Sequence, residues 1–266
     1  MKFNNSKRIE LLKEQVKRTM QHIASVGAYL TSEQRVIIAT EARNCLGFAS
    51  SSQLEANPDA DTKLPNELKA DVHKIMNFQS KCTADWYKDS LVPHAASYAR
   101  VQALVDQEGA AMECIGVCAI TAALTILQLG IYESAEFPVI STEEETGPKL
   151  SLRAMSYSEK ITRNSATGWA PFVMKKDLRF RKTDGYGKII NRAVETAGER
   201  FFLEKVPFKS LSVGLGDYVH AFELAATLYV PMKEIANFSR ISPGGLNRVQ
   251  VETIAAAYTE SRKCDF

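Results

Sequence analysis

The sequence lacks both a long apolar run and a strong net charge, and the two absences exclude several classes of protein. Its most apolar stretch covers residues 114–127, whereas a helix that spans a bilayer needs about 20 residues. The chain starts with charged residues and has no apolar segment of signal-peptide length there. Lys and Arg number 33 against 31 Asp and Glu, a net charge of +2 that argues against a dedicated nucleic-acid binder. We therefore expect a cytoplasmic protein that acts on a small molecule and binds neither membrane nor nucleic acid.

Recognisable cysteine and phosphate motifs are also missing. The five cysteines are an odd number without the regular pairing of a secreted disulfide scaffold, so we expect them to be reduced. Cys114 and Cys118 stand four positions apart on one helix face, but no histidine is near enough in sequence to complete a zinc pattern, and small core residues are the better interpretation. The segment "PGGLNR" lacks the lysine and the preceding strand of a P-loop. We expect no metal and no cofactor.

Helical patterns dominate what is present. A first amphipathic helix is predicted over residues 8–30, with an apolar stripe at three- and four-residue spacing. A second helix is predicted to begin after Thr31 or Ser32 as N-cap and to lead up to Cys45. Further helices are predicted over residues 66–81, 83–91 and 97–130, and the apolar stretch 114–127 is interpreted as a buried helix.

The segment 131–196 differs in texture from the rest, because it is rich in Pro, Gly, Ser, Thr and charge and has no clear periodicity. It is long for a connection without structure, so we expect any strands of the protein to lie in it. Three parts follow: a helical unit at 1–130, an irregular segment at 131–196, and a helical unit at 197–266 that packs on the first. The predicted fold class is all-α.

Two stretches share one plan and predict related helix-to-cysteine elements. They are "EQRVIIATEARNCLGF", which contains Cys45, and "VQVETIAAAYTESRKCDF", which contains Cys264. Each has a polar start, an apolar Ile-Ala step, a glutamate and an arginine near the end, and then cysteine followed shortly by phenylalanine. We expect the apolar face of the second element, including Val251 and Ile254, to pack on the helix that contains Glu113.

At these residues the chain resembles the carboxymuconolactone decarboxylase and alkylhydroperoxidase D superfamily. "LNRVQVETIAAAYTESRKC" is similar to the family helix before the active cysteines, with Glu252 and Cys264 at the matching spacing. The stretch from "LPNELKADVHKI" to "MECIGVCAITAALTILQLG" resembles the second half of such a domain. The resemblance implies an all-helical alkylhydroperoxidase D-like bundle, a symmetric homo-oligomer, and a reactive Cys-x-x-Cys with a nearby histidine.

The chain departs from the family pattern at both cysteines. The position of the second cysteine is Phe48 after Cys45, and the position of the following histidine is Ser52. After Cys264 the sequence ends at Phe266, one residue before that position. Neither element has a complete Cys-x-x-Cys, so either the natural protein has lost the pair or this chain is a shortened version of a longer one. With one cysteine, a peroxidase cycle requires an external thiol reductant to resolve the sulfenic acid.

Five residues are the candidates for chemistry: Cys264, Glu252, Glu113, His73 and Cys45. Cys264 has Arg262 and Lys263 beside it in sequence, which could activate its thiol, although an ordinary exposed cysteine is an equal alternative. His73 is either a proton relay or a hydrogen-bonded core residue. Glu113 opens an apolar helix, and a buried carboxylate needs a partner, so it is a better functional candidate than the cysteines beside it.

Three functions are compatible with these residues. The first is a thiol-dependent peroxidase in antioxidant defence, with a peroxide as substrate. The second is a cofactor-free lyase or isomerase that acts on an organic acid through carboxylates and histidine, with Glu113 or Glu252 close to His73. The third is a non-catalytic helical oligomer.

Overall fold

The computed structural model of the chain is mostly helical, as the periodicity predicts. It describes the following residues: 5–46, 64–131, 161–164, 168–173, 217, 220, 221, 224 and 247–261. In chain order, its elements are α1 (Asn5–Ala24), α2 (Ser32–Cys45), α3 (Asn66–Asn77), a 3₁₀ turn (Gln79–Lys81), α4 (Ala84–Trp86), a π-helical turn (Tyr87–Leu91), α5 (Val92–Ala99), α6 (Leu104–Ile131), β1 (Ile161–Asn164), β2 (Gly168–Val173) and α7 (Arg248–Ser261).

Helix α6 is the centre of the core, and α1, α2, α3 and α5 pack around it. The predicted stripe of α1 faces this core, since Leu12, Val16, Met20 and Ile23 are buried. Cys114 and Cys118 are both 0% exposed within the core cluster, which confirms that they are small packing residues of a buried helix.

The start of α2 is fixed by a reciprocal capping box. The Thr31 hydroxyl accepts a hydrogen bond from the Gln34 backbone N–H at 3.2 Å, and the Gln34 side chain accepts one from the Thr31 N–H at 2.9 Å. The same arrangement starts α7, where Asn247 and Gln250 exchange two hydrogen bonds of 2.9 Å. Both helices are 14 residues long. The two elements that share a sequence plan therefore also share their N-terminal geometry.

The helix predicted over residues 97–130 is in fact two helices. Arg100 has a φ of 57° in the left-handed region and ends α5. The N–H of Val101 donates back to the Ala96 carbonyl at 3.0 Å, which satisfies an orphan carbonyl of that helix end. A glycine is the usual residue here, so the prediction missed a break made by an arginine. Helix α6 then begins at Leu104 and continues through Ile131, past the predicted end at Gly130.

The described strands lie in the 131–196 segment, as expected. β1 and β2 pair antiparallel, with Ile161 opposite Val173 and Thr162 opposite Phe172. The register is irregular between Thr162 and Asn164. They form a two-stranded sheet.

The apolar part of α6 is longer than the run counted in the sequence. Residues Asp106–Thr125 are long and apolar enough, by length and composition, to cross a membrane, and 72% of the window is buried inside the protein. Core helices of soluble proteins satisfy the same criterion, so this is weak evidence for a span. Length alone therefore does not exclude a span, but the packing of this helix is that of a core element.

Helix α7 departs from the packing expected for it. Ile254 is 57% exposed and Val249 is 55% exposed, so the expected burial of Ile254 against the Glu113 helix is wrong. The prediction assumed that an apolar residue at helical spacing must face the core, but single exposed apolar residues are common on protein surfaces.

We predict that Thr31→Ala lowers the free energy of unfolding by about 1 kcal/mol, because the first turn of α2 loses its side-chain cap. Urea denaturation monitored by circular dichroism measures the change. Ser32→Ala is the matched control, since Ser32 lies inside the helix and the cap hydrogen bonds belong to Thr31 and Gln34. Equal effects of the two substitutions would contradict the capping role.

Candidate functional site

A buried arginine joins four parts of the chain. Arg35 lies in the first turn of α2 and is 1% exposed. Its guanidinium contacts Glu113 of α6, Asp217, and the backbone carbonyls of His22 and Ile23 in α1. We call Arg35, Glu113, Asp217, His22 and His220 the Arg35 cluster.

Glu113 supplies one carboxylate of this cluster. Its Oε1 accepts a hydrogen bond from Arg35 Nη1, and its Oε2 accepts one from the Tyr29 backbone N–H at 2.8 Å and a longer one from Leu30 at 3.4 Å. Gly27 makes this approach possible, because a Cβ there would collide with both the Glu113 carboxylate and the Arg35 guanidinium. The partner that the sequence required for Glu113 is thus an arginine together with the loop between α1 and α2.

Asp217 supplies the second carboxylate. Arg35 Nη2 donates to its Oδ1 at 2.7 Å, and Nη1 lies 3.4 Å from its Oδ2. The His22 Nε2 is also 2.7 Å from Oδ1. A Cβ at position 116 would lie 2.8 Å from the Asp217 Cβ, so Gly116 lets this residue approach α6 closely. Leu224, seven positions after Asp217, is 1% exposed and belongs to the hydrophobic core.

The electrostatics of the Arg35 cluster follow from burial and pairing. Burial alone would raise the pKa of Asp217, but the Arg35 charge and the His22 hydrogen bond hold the pKa of that carboxyl well below its ordinary value. Burial works to lower the pKa of Arg35, and the charges of Asp217 and Glu113 outweigh it. For Glu113 the pKa is raised, because burial, together with the Asp217 charge, outweighs the opposing effects of the Arg35 charge and the Tyr29 N–H.

A second carboxylate cluster lies between α3 and the α4–α5 region, and it is partly open to solvent. Asp71 is 3% exposed and accepts three side-chain hydrogen bonds. They come from Trp86 Nε1 at 2.8 Å, Ser90 Oγ at 2.7 Å and His94 Nδ1 at 2.7 Å. The His94 side chain is 32% exposed. We call these four residues the Asp71 cluster.

The π-helical turn aligns the three donors of the Asp71 cluster. In an α-helix, residues four apart are rotated by about 40° around the axis, so Trp86 and His94 would diverge by about 80°. The wider π turn at Tyr87–Leu91, closed by the Val92 N–H bonding to the Tyr87 carbonyl, offsets this drift. Pro93 follows directly and cannot donate a helical hydrogen bond, which favours the widened turn.

A lysine lies next to this cluster. The Lys74 Nζ is 5.0 Å from the centre of the Trp86 ring, on the same indole whose N–H binds Asp71. Among the described residues, the ion pairs do not include Lys74. The ammonium group therefore places a positive charge over the indole that donates to Asp71.

The structure separates the residues predicted to act together. Glu113 is buried in the Arg35 cluster, whereas His73 is exposed on α3 and its ring lies 5.7 Å from that of Phe78. The interpretation of His73 as a core residue is therefore wrong, because the buried face of α3 is formed by Leu68, Asp71, Val72 and Met76. Glu252 lies on an exposed part of α7. Cys264 lies outside the described residues.

Three described cysteines have thiol pKa values above the ordinary value, which makes them less reactive. Burial raises the pKa of Cys45, and the neighbouring Glu41 charge adds to this. Burial also raises the pKa of Cys82 to about 11. The pKa of Cys118 is raised by its hydrogen bond with Cys114 and by burial. Since the thiolate is the reactive form, none of these three cysteines is poised for peroxide chemistry.

Sequence reasoning missed most of both clusters. Arg35, Asp217, His22, Asp71 and His94 carry no motif spacing, because their partners come from distant segments. Only for Arg35 did the sequence indicate burial, since this residue follows an N-cap and precedes the apolar run of a helix that must be buried. Within the described part of the chain, no group of three or more His, Cys, Asp or Glu side chains could hold a metal ion.

We predict that Arg35→Met lowers the free energy of unfolding by about 3–5 kcal/mol, because two buried carboxylates lose their common partner. Arg18→Met is the matched control. Arg18 forms a solvent-exposed pair with Glu14 at 3.0 Å, and such a pair contributes about 0–1 kcal/mol. Chemical denaturation of both variants at neutral pH measures the difference, and similar losses would contradict the role assigned to Arg35.

We predict that stability falls as the pH drops below about 4, the ordinary range of an aspartate, partly because of Asp217. The sign follows from the lowered pKa in the folded state: the stabilisation is present above the unfolded pKa and is lost as the pH falls toward the folded pKa. Asp217→Asn should reduce the slope in this range, whereas Asp85→Asn on the surface should retain it. Urea unfolding at a series of acidic pH values makes the comparison, and an unchanged slope in Asp217→Asn would refute the assignment.

Comparison with known proteins provides no relative for this chain. No family model, no curated protein and no solved structure matches it. The resemblance of its motifs to the alkylhydroperoxidase D superfamily therefore stays a prediction. Function has to be inferred from the geometry of the Arg35 and Asp71 clusters.

Proposed function

We propose that the protein is a cofactor-free proton-transfer enzyme of the lyase or isomerase class, with His94 as its general base. The observation that carries this proposal is the 2.7 Å contact between His94 Nδ1 and the buried carboxylate of Asp71. A base that is oriented by a buried carboxylate and remains partly open to solvent is the arrangement that general base catalysis requires.

The contact with Asp71 defines which nitrogen of His94 does the chemistry. When Nδ1 donates to the Asp71 Oδ2, the neutral ring keeps its lone pair on Nε2, which is then the proton acceptor. After proton abstraction, the positive imidazolium is stabilised by the Asp71 carboxylate. Trp86 and Ser90 both donate to the other oxygen, Oδ1, so the carboxylate is held from two sides and keeps the ring in one orientation.

Lys74 favours an anionic substrate. A proton taken from carbon leaves negative charge on the substrate, and a nearby cation stabilises that charge as it develops. Lys74 lies on α3 three residues after Asp71, and its ammonium group is held over the Trp86 ring. Small organic acids with an acidic C–H next to a carbonyl or carboxylate group are the substrate class that fits this charge.

The Arg35 cluster is less suited to catalysis. Arg35 and Glu113 are each 1% exposed and Asp217 is 2% exposed, so a substrate would have to displace packed core to reach them. Its contacts tie α1, α2, α6 and Asp217 together, which is a structural role. Glu113 is thus proposed as a positioning residue of the fold, and the proton transfer is assigned to the Asp71 cluster.

A thiol-dependent peroxidase remains a second proposal, and it depends on Cys264 with Glu252 at the family spacing. The raised pKa values of Cys45, Cys82 and Cys118 do not favour it. The quoted motifs are also the support for an alkylhydroperoxidase D-like bundle and for assembly as a homo-oligomer. The geometry at His94 requires neither a reactive cysteine nor an external thiol.

We predict that the protein accelerates elimination of 5-nitrobenzisoxazole, a probe whose ring opens when a base removes its C–H proton. His94→Gln should lower the rate by about 10²-fold or more, since a positioned base contributes about 10²–10⁴-fold. Asp71→Asn should also lower it, because the ring loses its charged partner. The measurement is nitrophenolate release under single-exponential conditions.

His73→Gln is the matched control, because His73 is an exposed histidine on the same helix as Asp71 and Lys74. Ser90→Ala tests positioning, as it removes one hydrogen bond to Asp71 and leaves the His94 contact in place. A rate in His94→Gln equal to that of His73→Gln would exclude His94 as the base.

A further inference from the structure

Phe78, at the end of α3, is an exposed aromatic residue that the proposed proton transfer does not use. The residue is 42% exposed. Among the described residues, the other exposed large hydrophobic side chains are aliphatic: Leu104, Val249 and Ile254. A single exposed apolar residue is common on protein surfaces and indicates no function by itself. Phe78 differs from the other three in its neighbours.

Two lysines lie over aromatic rings at this end of α3. The Lys81 Nζ is 4.9 Å from the centre of the Phe78 ring, and the Lys74 Nζ is 5.0 Å from the centre of the Trp86 ring. At such distances the ring quadrupole attracts the cation, so each ring favours a position of its ammonium group beside an apolar surface. A ligand that carries an aromatic ring and a carboxylate complements both features, since its ring can pack against Phe78 while its charge pairs with an ammonium group.

The backbone around Phe78 is held by hydrogen bonds on both sides. The Phe78 N–H donates to the Lys74 carbonyl at 2.9 Å, and the Phe78 carbonyl accepts from the Lys81 N–H at 2.8 Å. The Gln79 side-chain amide donates to the Met76 carbonyl at 3.0 Å. Phe78 and Lys81 are thus positioned by a 3₁₀ turn with a defined backbone. A binding surface that is formed in advance loses less conformational entropy when a ligand binds.

This turn lies close to the Asp71 cluster. Lys74 precedes Phe78 by one helical turn and lies over the same Trp86 indole that donates to Asp71. The Cys82 Sγ, just after the 3₁₀ turn, is 3.7 Å from the Phe78 carbonyl oxygen and 3.9 Å from that of Lys74. Burial raises the pKa of this thiol, and the charges of Lys74 and Asp71 also act on it. The exposed ring and the buried carboxylate are therefore parts of one region of the surface.

We propose that Phe78, Lys74 and Lys81 form a subsite that selects arylacetic acids, in which the acidic C–H lies between an aromatic ring and a carboxylate. The role of these residues as a substrate subsite rests on the function proposed at His94. The ring of the acid packs edge-to-face or offset against Phe78, and its carboxylate pairs with a lysine ammonium group. A cyclohexyl acid of similar size and equal charge lacks the ring quadrupole and binds more weakly.

Calorimetric titration of the full-length protein with three probes tests the subsite: phenylacetate, cyclohexylacetate and phenylacetamide. Phenylacetate should bind about threefold or more tightly than cyclohexylacetate, the ratio expected for one aromatic pair. Phenylacetamide has the ring without the charge and should also bind about threefold more weakly than phenylacetate. Equal affinity for phenylacetate and either of the other probes would overturn the proposal, as would the absence of phenylacetate binding.

Two variants and their matched controls assign the preference to these residues. Phe78→Ala should bring the affinity ratio of the two acids to about one, because the aromatic partner is lost. Lys81→Gln should weaken phenylacetate binding about threefold and leave phenylacetamide binding unchanged. Leu104→Ala and Lys88→Gln remove an exposed apolar residue and an exposed lysine elsewhere. Controls that change binding as much as the two variants would contradict the subsite, and if a variant does not fold, the wild-type probe series decides.

NMR locates the bound acid without relying on turnover. Phenylacetate should shift the Cε1–H resonance of His94, assigned with His94→Gln, and leave that of His22 in the Arg35 cluster unchanged. An unshifted His94 resonance would place the acid elsewhere and overturn the proposal. Absence of 5-nitrobenzisoxazole elimination with the phenylacetate preference intact would contradict the proposed base and support the binding subsite. Elimination without the preference would contradict the subsite alone.

Single-stranded nucleic acid is the other ligand that aromatic rings beside lysines bind, through stacking and phosphate contacts. The net charge of +2 is low for a protein of that class. An oligothymidine probe should therefore bind more weakly than phenylacetate. Tighter binding of the oligothymidine that is lost in Phe78→Ala would overturn the assignment to a small acid.

Discussion

Burial of the Arg35 guanidinium is the constraint on which the described core depends. A charged group at 1% exposure is tolerated only when its donors are paired, and the partners of Arg35 come from α1, α6 and Asp217. These contacts fix how the helices meet. Small residues at 27 and 116 are required for the same reason, since a side chain at either position would occupy the space of a carboxylate or its Cβ.

The Arg35 and Asp71 clusters use similar chemistry in different surroundings. Each has a buried carboxylate that accepts several hydrogen bonds and a histidine at 2.7 Å. In the Arg35 cluster a permanent positive charge pairs with the carboxylates, and the histidine is 15% exposed; in the Asp71 cluster the donors are neutral side chains and the histidine is 32% exposed. This difference in access is the reason why we propose a structural role for the Arg35 cluster and substrate chemistry for the Asp71 cluster.

The π-helical turn at Tyr87–Leu91 positions the donors of the Asp71 cluster. Without the π turn, Trp86, Ser90 and His94 would spiral away from Asp71, and the histidine would lose its carboxylate. Pro93 lies in the first turn of α5, two residues after the π turn, and its missing N–H favours the widened turn that aligns the site. Such turns are frequent at functional sites, and here the turn does the positioning itself.

The sequence by itself determined what depends on neighbours along the chain. The stripe of α1, the Thr31 cap, the buried run around Cys114 and the location of the strands all follow from spacing and local hydrogen bonding. The need of Glu113 for a partner was also readable, because the cost of a buried carboxylate does not depend on the fold. Only the tertiary structure decided which residues meet that need. Arg35 and Asp217 are separated by 182 positions and Asp71 and His94 by 23, and no periodicity or cap encodes such pairs. The same limit explains the misplacement of His73 and Ile254, since an apolar neighbourhood in sequence does not specify which face of a helix is covered.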